Sequence, residues 1–544
     1  MLFNQVNWKY QIKLFYLLLA ALMLLAMYFR SINILEMGIK GSDTFQYWHI
    51  ATYWAKGELV FADPIKGDTR FFYRPLAYLI YSVVVKFFGQ YDYSLKIVNI
   101  FADLVNIYLI FLVGRNIRGP WLGLLSAISY AFLPIIIQYS RCELLHILSE
   151  SFILLSVWFL LKALGAKSKK LRFMFIGLAG MSFSCSMNIH TSLLYLGPGY
   201  LLFLLIYSLV SNKRLTDKLQ QALANMLVFM SMFLLPYLIG GFIFGFSRIY
   251  NGMIGIGRYA NRYTSDSENS QMLNFIDTMK SYLVDSTKMD LFVPFFVACM
   301  VIIAALLVFD LVKKRSTNKS TLSILLCIML IVTCIAGNTF VINKKEHVRF
   351  FVPLVPLVFI SVYGTICMVL DRLNFRKLAL AAIVAITLLV LYNSQVFKYM
   401  RSLKQSSPSV YRELFNVLGE KVSAKEKLLL MPCSFHHTMG FSTVCYFGED
   451  NVVYGRLCRE HFDDLLHNNN VRYIFYVTHN KFMKWRDYDF IDYGTIEEAV
   501  SLCYGTTLVE KTPQWEIKAF YKVLGDRGRI IHHSPDGILI DLSG

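Results

Sequence analysis

Over the first 400 positions apolar residues come in long runs separated by short charged gaps, and beyond that the pattern changes to short alternating pieces. Crossing the hydrocarbon of a bilayer takes about 20 apolar residues in a helix. On that measure spans fall near 12–29, 94–114, 120–139, 145–164, 173–190, 192–210, 222–246, 291–312, 320–342, 350–370 and 378–397, about eleven helices. The first run follows Lys9 and Lys13 and has no small-residue cleavage site before Arg30, so it reads as a retained helix, not a signal peptide.

The gaps alternate in character. Arg115/Arg118, Lys167/Lys169/Lys170/Arg172, Lys213/Arg214/Lys218, Lys313/Lys314/Arg315/Lys319 and Arg372/Arg376/Lys377 each follow an even-numbered run. Short basic gaps stay in the cytoplasm. An odd number of spans with the N-terminus inside then puts residues 30–93, 247–290 and the tail from about 398 on the extracytoplasmic side of a cell (plasma or inner) membrane. Two domains follow: a transmembrane domain over 1–400, with its long outer loop at 30–93, and a soluble extracytoplasmic α/β domain over 401–544.

The outer loop is amphipathic. Phe45 to Val60 sets Trp48, Ile50, Ala51 and Trp54 at helical spacing, and Phe71 to Phe88 is a second aromatic-rich stretch, broken at Arg74-Pro75 and ended by Gly89. Such helices lie in the headgroup layer. In the tail, Val410 to Lys421 and Glu460 to His467 read as helices, Lys427 to Met431 and Val471 to Val477 as strands. Arg529 to His533 and Gly537 to Leu542 flank Ser534-Pro535-Asp536 as a hairpin.

Composition agrees with this division. The chain has 544 residues, 56% of them hydrophobic and only 17% charged, where a soluble protein carries about a quarter. An ordinary cytosolic enzyme, a disordered chain and a fibrous repeat are excluded. The net charge of +18 lies mostly in the short gaps, where it fixes topology, so it gives no reason to expect nucleic acid. Cys185, Cys299, Cys327, Cys334 and Cys367 sit in apolar runs as small hydrophobes. Cys433, Cys445, Cys458 and Cys503 fall in the tail, where an oxidising compartment would allow disulfides. The pairs His436-His437 and His532-His533 lack the partners that complete a zinc set. No phosphate-binding loop, dinucleotide fingerprint or nucleophile elbow occurs. No cofactor is called for, and a divalent metal stays an open alternative.

Ionisable residues at the edge of a bilayer cost several kcal/mol unless paired or hydrated, and several stand there. Asp43, in Gly41-Ser42-Asp43-Thr44, follows the first span and opens an amphipathic helix; it reads as an N-cap or as a general base on the outer surface. Arg74, flanked by aromatics, reads as a snorkelling side chain or as a phosphate clamp, with Asp63, Asp68 and Arg70 in the same loop. Ser140-Arg141-Cys142-Glu143, His146 and Glu150 stand at the outer mouth of the fourth span. Positions 143, 146 and 150 would share one helix face, turned into a hydrated cavity or tied up by a salt bridge with Arg141. Arg248, Arg258 and Arg262 add cations in a later outer loop. Lys344, Lys345, His347 and Arg349, just before Phe350-Phe351-Val352-Pro353, depart from the positive-inside pattern. They read as solvated charges or as contacts for an anionic ligand.

Taken in order, Gly41-Ser42-Asp43-Thr44, Tyr73-Arg74-Pro75-Leu76-Ala77-Tyr78-Leu79, Lys86-Phe87-Phe88-Gly89, Ser140-Arg141 and His347-Val348-Arg349-Phe350 with Pro353 and Pro356 resemble the GT-C membrane glycosyltransferases. The branch is that of the protein O-mannosyltransferases and aminoarabinose transferases (ArnT-like), and the likeness spans roughly residues 10–400. It implies an inverting transfer of a hexosyl or pentosyl group from a polyprenyl-phosphate donor to a glycan, lipid or protein acceptor on the extracytoplasmic face, in the service of cell-envelope glycosylation. Membrane lipids would surround the site. By position, the resemblance gives Asp43 the role of base and makes Arg74 and Arg349 contacts of the lipid phosphate. Lys345, Arg141 and His347 stand beside them, and Glu143 or Glu150 is the acidic residue at the mouth of the fourth span. The family spacing points near His146, a departure from the pattern. Thr44 stands where protein mannosyltransferases carry a second acid, which argues against a protein acceptor. The Trp-Trp-Asp signature of the oligosaccharyltransferase tail is absent. The alternative, a transporter or flippase of lipid-linked sugars, calls for paired broken-helix repeats, which the sequence does not show. A non-catalytic scaffold would leave the outward cations unexplained.

Overall fold

A computed structural model describes residues 6–35, 42–60, 74–89, 93–210, 214–250 except 248, 271–312, 318–340 and 348–405, and in the tail 422, 426–431, 452–453, 471–477, 528–534 and 537–543. The chain forms two compact units: residues 1–34, 69–87 and 94–406 make the first, and residues 35–68, 88–93 and 407–544 the second.

The first unit is helical. Its described helices are α1 (Val6–Ser31), α3 (Pro75–Phe88), α4 (Ser94–Arg118), α5 (Pro120–Ala131), α6 (Pro134–Ser140), α7 (His146–Leu164), α8 (Lys169–Ile189), α9 (Leu196–Leu209), α10 (Leu215–Phe244), α11 (Gln271–Thr287), α12 (Phe292–Val312), α13 (Lys319–Phe340), α14 (Val355–Arg372), α15 (Arg376–Asn393) and α16 (Val396–Gln405). The helix α2 (Ser42–Ala55) belongs to the second unit.

Each of the eleven apolar runs forms helix. Among the described residues, eight helices are long and apolar enough to cross a membrane, or nine when α5 and α6, bent 71° from each other, count as one broken span. Both begin with a proline, which suits the first turn of a helix but cannot continue one. The runs at 173–190 and 192–210 fall short for physical reasons. Three basic residues open α8, and Ser182, Ser184, Ser186 and Asn188 interrupt its apolar stretch, whereas α9 has only 14 residues.

Burial sorts the helices. On α1 the stripe Phe15, Leu19, Leu22 and Ala26 is buried, while Leu14, Leu17, Leu18, Leu24 and Leu25 stay exposed. This is the one-sided pattern of a helix with lipid on its other faces. By contrast, α14 is buried along most of its length. The helices α4 and α5 cross very closely, because Gly114 faces Gly123; a Cβ on Gly123 would lie 2.3 Å from the Phe111 carbonyl oxygen. Small residues permit such approaches between membrane helices.

Described residues that border three of the basic gaps meet at one end of the bundle. Arg118 at the end of α4 pairs with Asp371 at the end of α14, its Nε donating to Oδ2 at 2.8 Å, and Ser320 Oγ donates to Ile117 O at 2.8 Å. The starts of α4, α7 and α14 lie at the other end, which holds the candidate site.

In the second unit a five-stranded sheet has the order β2-β1-β3-β5-β4: β1 (Lys427–Met431), β2 (Val452–Val453), β3 (Val471–Val477), β4 (Arg529–Ser534) and β5 (Gly537–Asp541). β1 runs parallel to both β2 and β3, and the segments 432–451 and 454–470 are long enough for crossovers. The predicted hairpin is present: β4 and β5 pair antiparallel, with Ser534 opposite Gly537. Leu428, Val471, Tyr473, Ile474, Leu539 and Ile540 fill the core, and Arg472 binds both Glu426 and Asp541. Two predicted helices, 410–421 and 460–467, and the four tail cysteines lie outside the described residues.

Candidate functional site

The segment between α6 and α7 is shaped by side chains of neighbouring helices. The Asn99 amide of α4 donates to Cys142 O (2.6 Å) and Leu144 O (2.7 Å), and the Tyr81 hydroxyl of α3 donates to Glu143 O (3.2 Å). With these carbonyls taken by α3 and α4, the helix starts only at His146, and Glu143 precedes it. Of the three residues expected on one helix face, His146 and Glu150 share α7, and Asn106 holds its first turn through Ile147 O at 3.0 Å.

The charged residues of this region then divide into two groups, and the first lies inward. Glu143 is buried and pairs with Lys96 at 3.3 Å. Arg141, also buried, donates to Phe29 O (3.0 Å) and Ile32 O (2.6 Å), closing free carbonyls at the end of α1. The Arg141 charge also acts on Tyr399 of α16, whose phenol burial pushes up to about 12. α16 packs Val396, Met400 and Leu403 against Ile137, beside Phe29 and Phe132. Deeper still, Arg30 binds Asp103, donates to Ala26 O and Ala131 O at 3.1 and 3.0 Å, and Tyr130 gives its hydroxyl hydrogen to Asp103 at 2.6 Å. Glu150, fully buried on α7, lies within electrostatic reach of Asp103 and Arg30. This network ties α1, α4 and α5 together.

Removing one member of a buried pair leaves the other charge without compensation, which costs about 3–5 kcal/mol. Asp103→Ala is therefore expected to lower the apparent Tm in detergent sharply. The double replacement Arg30→Met with Asp103→Leu should recover most of the loss, because the charge that needed a partner is gone as well.

The second group surrounds two histidines. His146, at the start of α7, and His190, at the end of α8, have ring centroids 4.4 Å apart, tilted by 47°. α8 stops there because His190 turns extended (φ −139°, ψ 97°), and the chain continues as a 3-10 turn, Thr191–Tyr195. Gly337 of α13 makes room for that turn, since a Cβ on it would lie 2.1 Å from the Tyr195 ring. Tyr139 lies edge-on to His146 at 5.5 Å, and Phe350 reaches both histidines at 6.2 and 5.9 Å. Phe350 comes from the short 3-10 turn Val348–Phe350, and its ring lies 5.2 Å from the Arg349 guanidinium. The charges of Arg74, at the start of α3, and of Arg349 act on both histidines. Two half-buried arginines 275 positions apart in the chain thus lie within electrostatic reach of one histidine pair at the end of the bundle away from Arg118 and Asp371.

Asp43 lies in the first turn of α2, and its side chain is outside the described residues, as are Lys344, Lys345, His347, Arg248, Arg258, Arg262, Asp63, Asp68 and Arg70. Among the described residues no group of three His, Cys, Asp or Glu is placed to hold a metal ion. Sequence reasoning missed His190, Lys96 and Asp103. The first had a signal, an imidazole closing an apolar run on the side of the outward cations. The other two look like ordinary interruptions of a span until their partners are seen.

The family model described as dolichyl-phosphate-mannose-protein mannosyltransferase matches residues 74–238. No curated protein matches the chain in sequence. Among solved structures, ArnT from Cupriavidus metallidurans in the apo state is similar with a TM-score of 0.56 at 10% identity, over 97% of this chain and 98% of that one. The same protein bound to undecaprenyl phosphate gives 0.54 at 10% identity, over 96% and 97%. The Archaeoglobus fulgidus oligosaccharyltransferase in complex with Zn and sulfate gives 0.50 at 12% identity, over 84% of this chain and 68% of that one. At such identities the likeness is one of fold. The resemblance to the GT-C membrane glycosyltransferases holds in the family match, which covers residues 74–238, and in the architecture.

Proposed function

We propose that this chain, whose fold is that of the GT-C membrane glycosyltransferases, moves a sugar from a polyprenyl-phosphate donor to an acceptor at the extracytoplasmic surface. The observation that carries the reading is a cluster in which His146 and His190 meet at 4.4 Å, Phe350 reaches both rings, the Arg349 guanidinium lies beside Phe350, and Arg74 is within electrostatic reach. Paired guanidiniums suit a phosphate, which they bind through planar forks. The extracytoplasmic placement is supported by the position of these residues at the helix ends opposite Arg118 and Asp371, which border short basic gaps. The polyprenyl donor is supported by the fold shared with a protein whose structure holds undecaprenyl phosphate.

The chemistry is a single displacement. An acceptor hydroxyl oxygen attacks the anomeric carbon, the bond from that carbon to the phosphate oxygen breaks, and the lipid leaves as a phosphate monoester. Its growing negative charge is stabilised by Arg74 and Arg349, and fixed cations in a low-dielectric site do this strongly. By the resemblance, Asp43 takes the hydroxyl proton. One displacement inverts the anomeric centre and needs no second carboxylate as nucleophile. Glu143 and Arg141, already bound to Lys96 and to the end of α1, support the scaffold in this scheme; Lys345 and His347 are further cationic candidates.

The test is to incubate purified protein in lipid nanodiscs with a panel of radiolabelled polyprenyl-phosphate sugars and candidate acceptors. Acceptor-dependent release of free polyprenyl phosphate, with the label moving to the acceptor, is the expected result. Movement of an intact lipid-linked sugar across vesicles without bond cleavage would establish the transporter reading instead.

A further inference from the structure

His146 has no role in the chemistry above, yet its surroundings are unusual. Its ring is 4% exposed, and neither Nδ1 nor Nε2 has a hydrogen-bond partner among the described residues. A buried polar group left without a partner costs about 1–3 kcal/mol. His190, tilted by 47°, and Tyr139, at 75°, lie against the ring without bonding to its nitrogens. Phe350, whose ring centroid is 6.2 Å from that of His146, has the Arg349 guanidinium 5.2 Å from its own ring, and Arg74 is within electrostatic reach, so the position disfavours a cation and favours an anion. The start of α7 adds to this field: no side chain caps it, and a helix N-terminus carries partial positive charge and free amides.

Resting on the glycosyltransferase reading, we infer that His146 is a third ligand of the donor phosphate, giving a ring N–H to a non-bridging phosphate oxygen between Arg74 and Arg349, with His190 holding the ring in position. The phosphate passes from a diester to a monoester as the sugar leaves, so its oxygens gain charge during the reaction. The diester is already an anion, and a charge-assisted hydrogen bond strengthens further as its acceptor gains charge. The contact of His146 therefore tightens towards the transition state, and its loss falls on kcat as well as on donor binding.

The test measures binding of undecaprenyl phosphate, undecaprenol and inorganic phosphate to the full chain in detergent, for the wild type and for His146→Phe, His146→Gln and His190→Phe. Wild type is expected to bind undecaprenyl phosphate well above undecaprenol, and inorganic phosphate only weakly. His146→Phe, which keeps a ring against His190 and Tyr139 and removes the donor, should weaken binding of the lipid phosphate about ten- to a hundredfold, with undecaprenol unchanged. His146→Gln, which keeps an N–H, should stay within about fivefold. His190→Phe should fall between the two. Equal affinity of wild type and His146→Phe overturns the inference while leaving the glycosyltransferase reading intact. Equal affinity of wild type for undecaprenyl phosphate and undecaprenol overturns both. Should His146→Phe fail to fold, 15N-histidine spectra of the wild type decide the matter. Addition of undecaprenyl phosphate, and not of undecaprenol, shifts the His146 nitrogen resonances, assigned by their absence in His146→Gln; resonances that stay in place overturn the proposal.

Discussion

Asp43→Asn is expected to lower sugar transfer by about 10²–10⁴-fold, the range over which a positioned general base contributes, while membrane insertion and Tm stay unchanged. The substitution separates the two readings of this residue. α2 begins at Ser42, so Asp43 stands in its first turn, where a short polar side chain satisfies free amides. Asparagine does that about as well as aspartate. A structural role therefore tolerates the change, and only a proton-accepting role does not. Turnover measured as polyprenyl phosphate released per unit of folded protein decides it, and near-normal turnover in Asp43→Asn would remove the residue from the mechanism.

The second large effect concerns the arginines. Arg74→Met and Arg349→Met should each lower kcat by about 10²–10³-fold, as loss of one donor to a developing anion does. Lysine at either position should restore only part of this, because an ammonium lacks the planar fork that grips two oxygens at once. If both guanidiniums act on one phosphate, the double variant should fall short of the product of the two single effects. Independent multiplication of the two losses would mean that they serve different groups. Single-turnover measurements with saturating donor keep the binding contribution apart from the chemical step.

Much of the architecture was legible in the sequence, for reasons that can be named. Apolar runs of span length leave the chain little choice but helix, and every one of them is helical. The hairpin at Ser534-Pro535-Asp536 was legible because turn chemistry is local, and β4 and β5 pair where it placed them. Long-range contacts left no such trace. The Glu143 carboxylate looked as if it belonged to the face of α7, but Asn99 and Tyr81 capture the carbonyls around it and the helix starts later. Its cation proved to be Lys96 of α4, and Arg141 turned to the end of α1 instead. Asp103 drew no attention inside an apolar run, since its partner Arg30 was read as the end of the first span. Arg74 and Arg349 were visible as residues needing a reason, but their electrostatic reach to His190 depends on where α8 stops, which no local pattern announces.

The pair of Arg30 and Asp103 also bears on how the protein is made. Its two members are 73 residues apart in the chain, so the arginine leaves the ribosome well before the aspartate that neutralises it. Until α4 enters the bilayer, the C-terminal end of α1 carries a charge that the lipid interior rejects, and water or headgroups have to solvate it. Arrival of α4 and then of α5, with Tyr130 and the Ala131 carbonyl, completes its shell. These three helices are thereby joined while most of the chain, Arg349 included, is still unsynthesised.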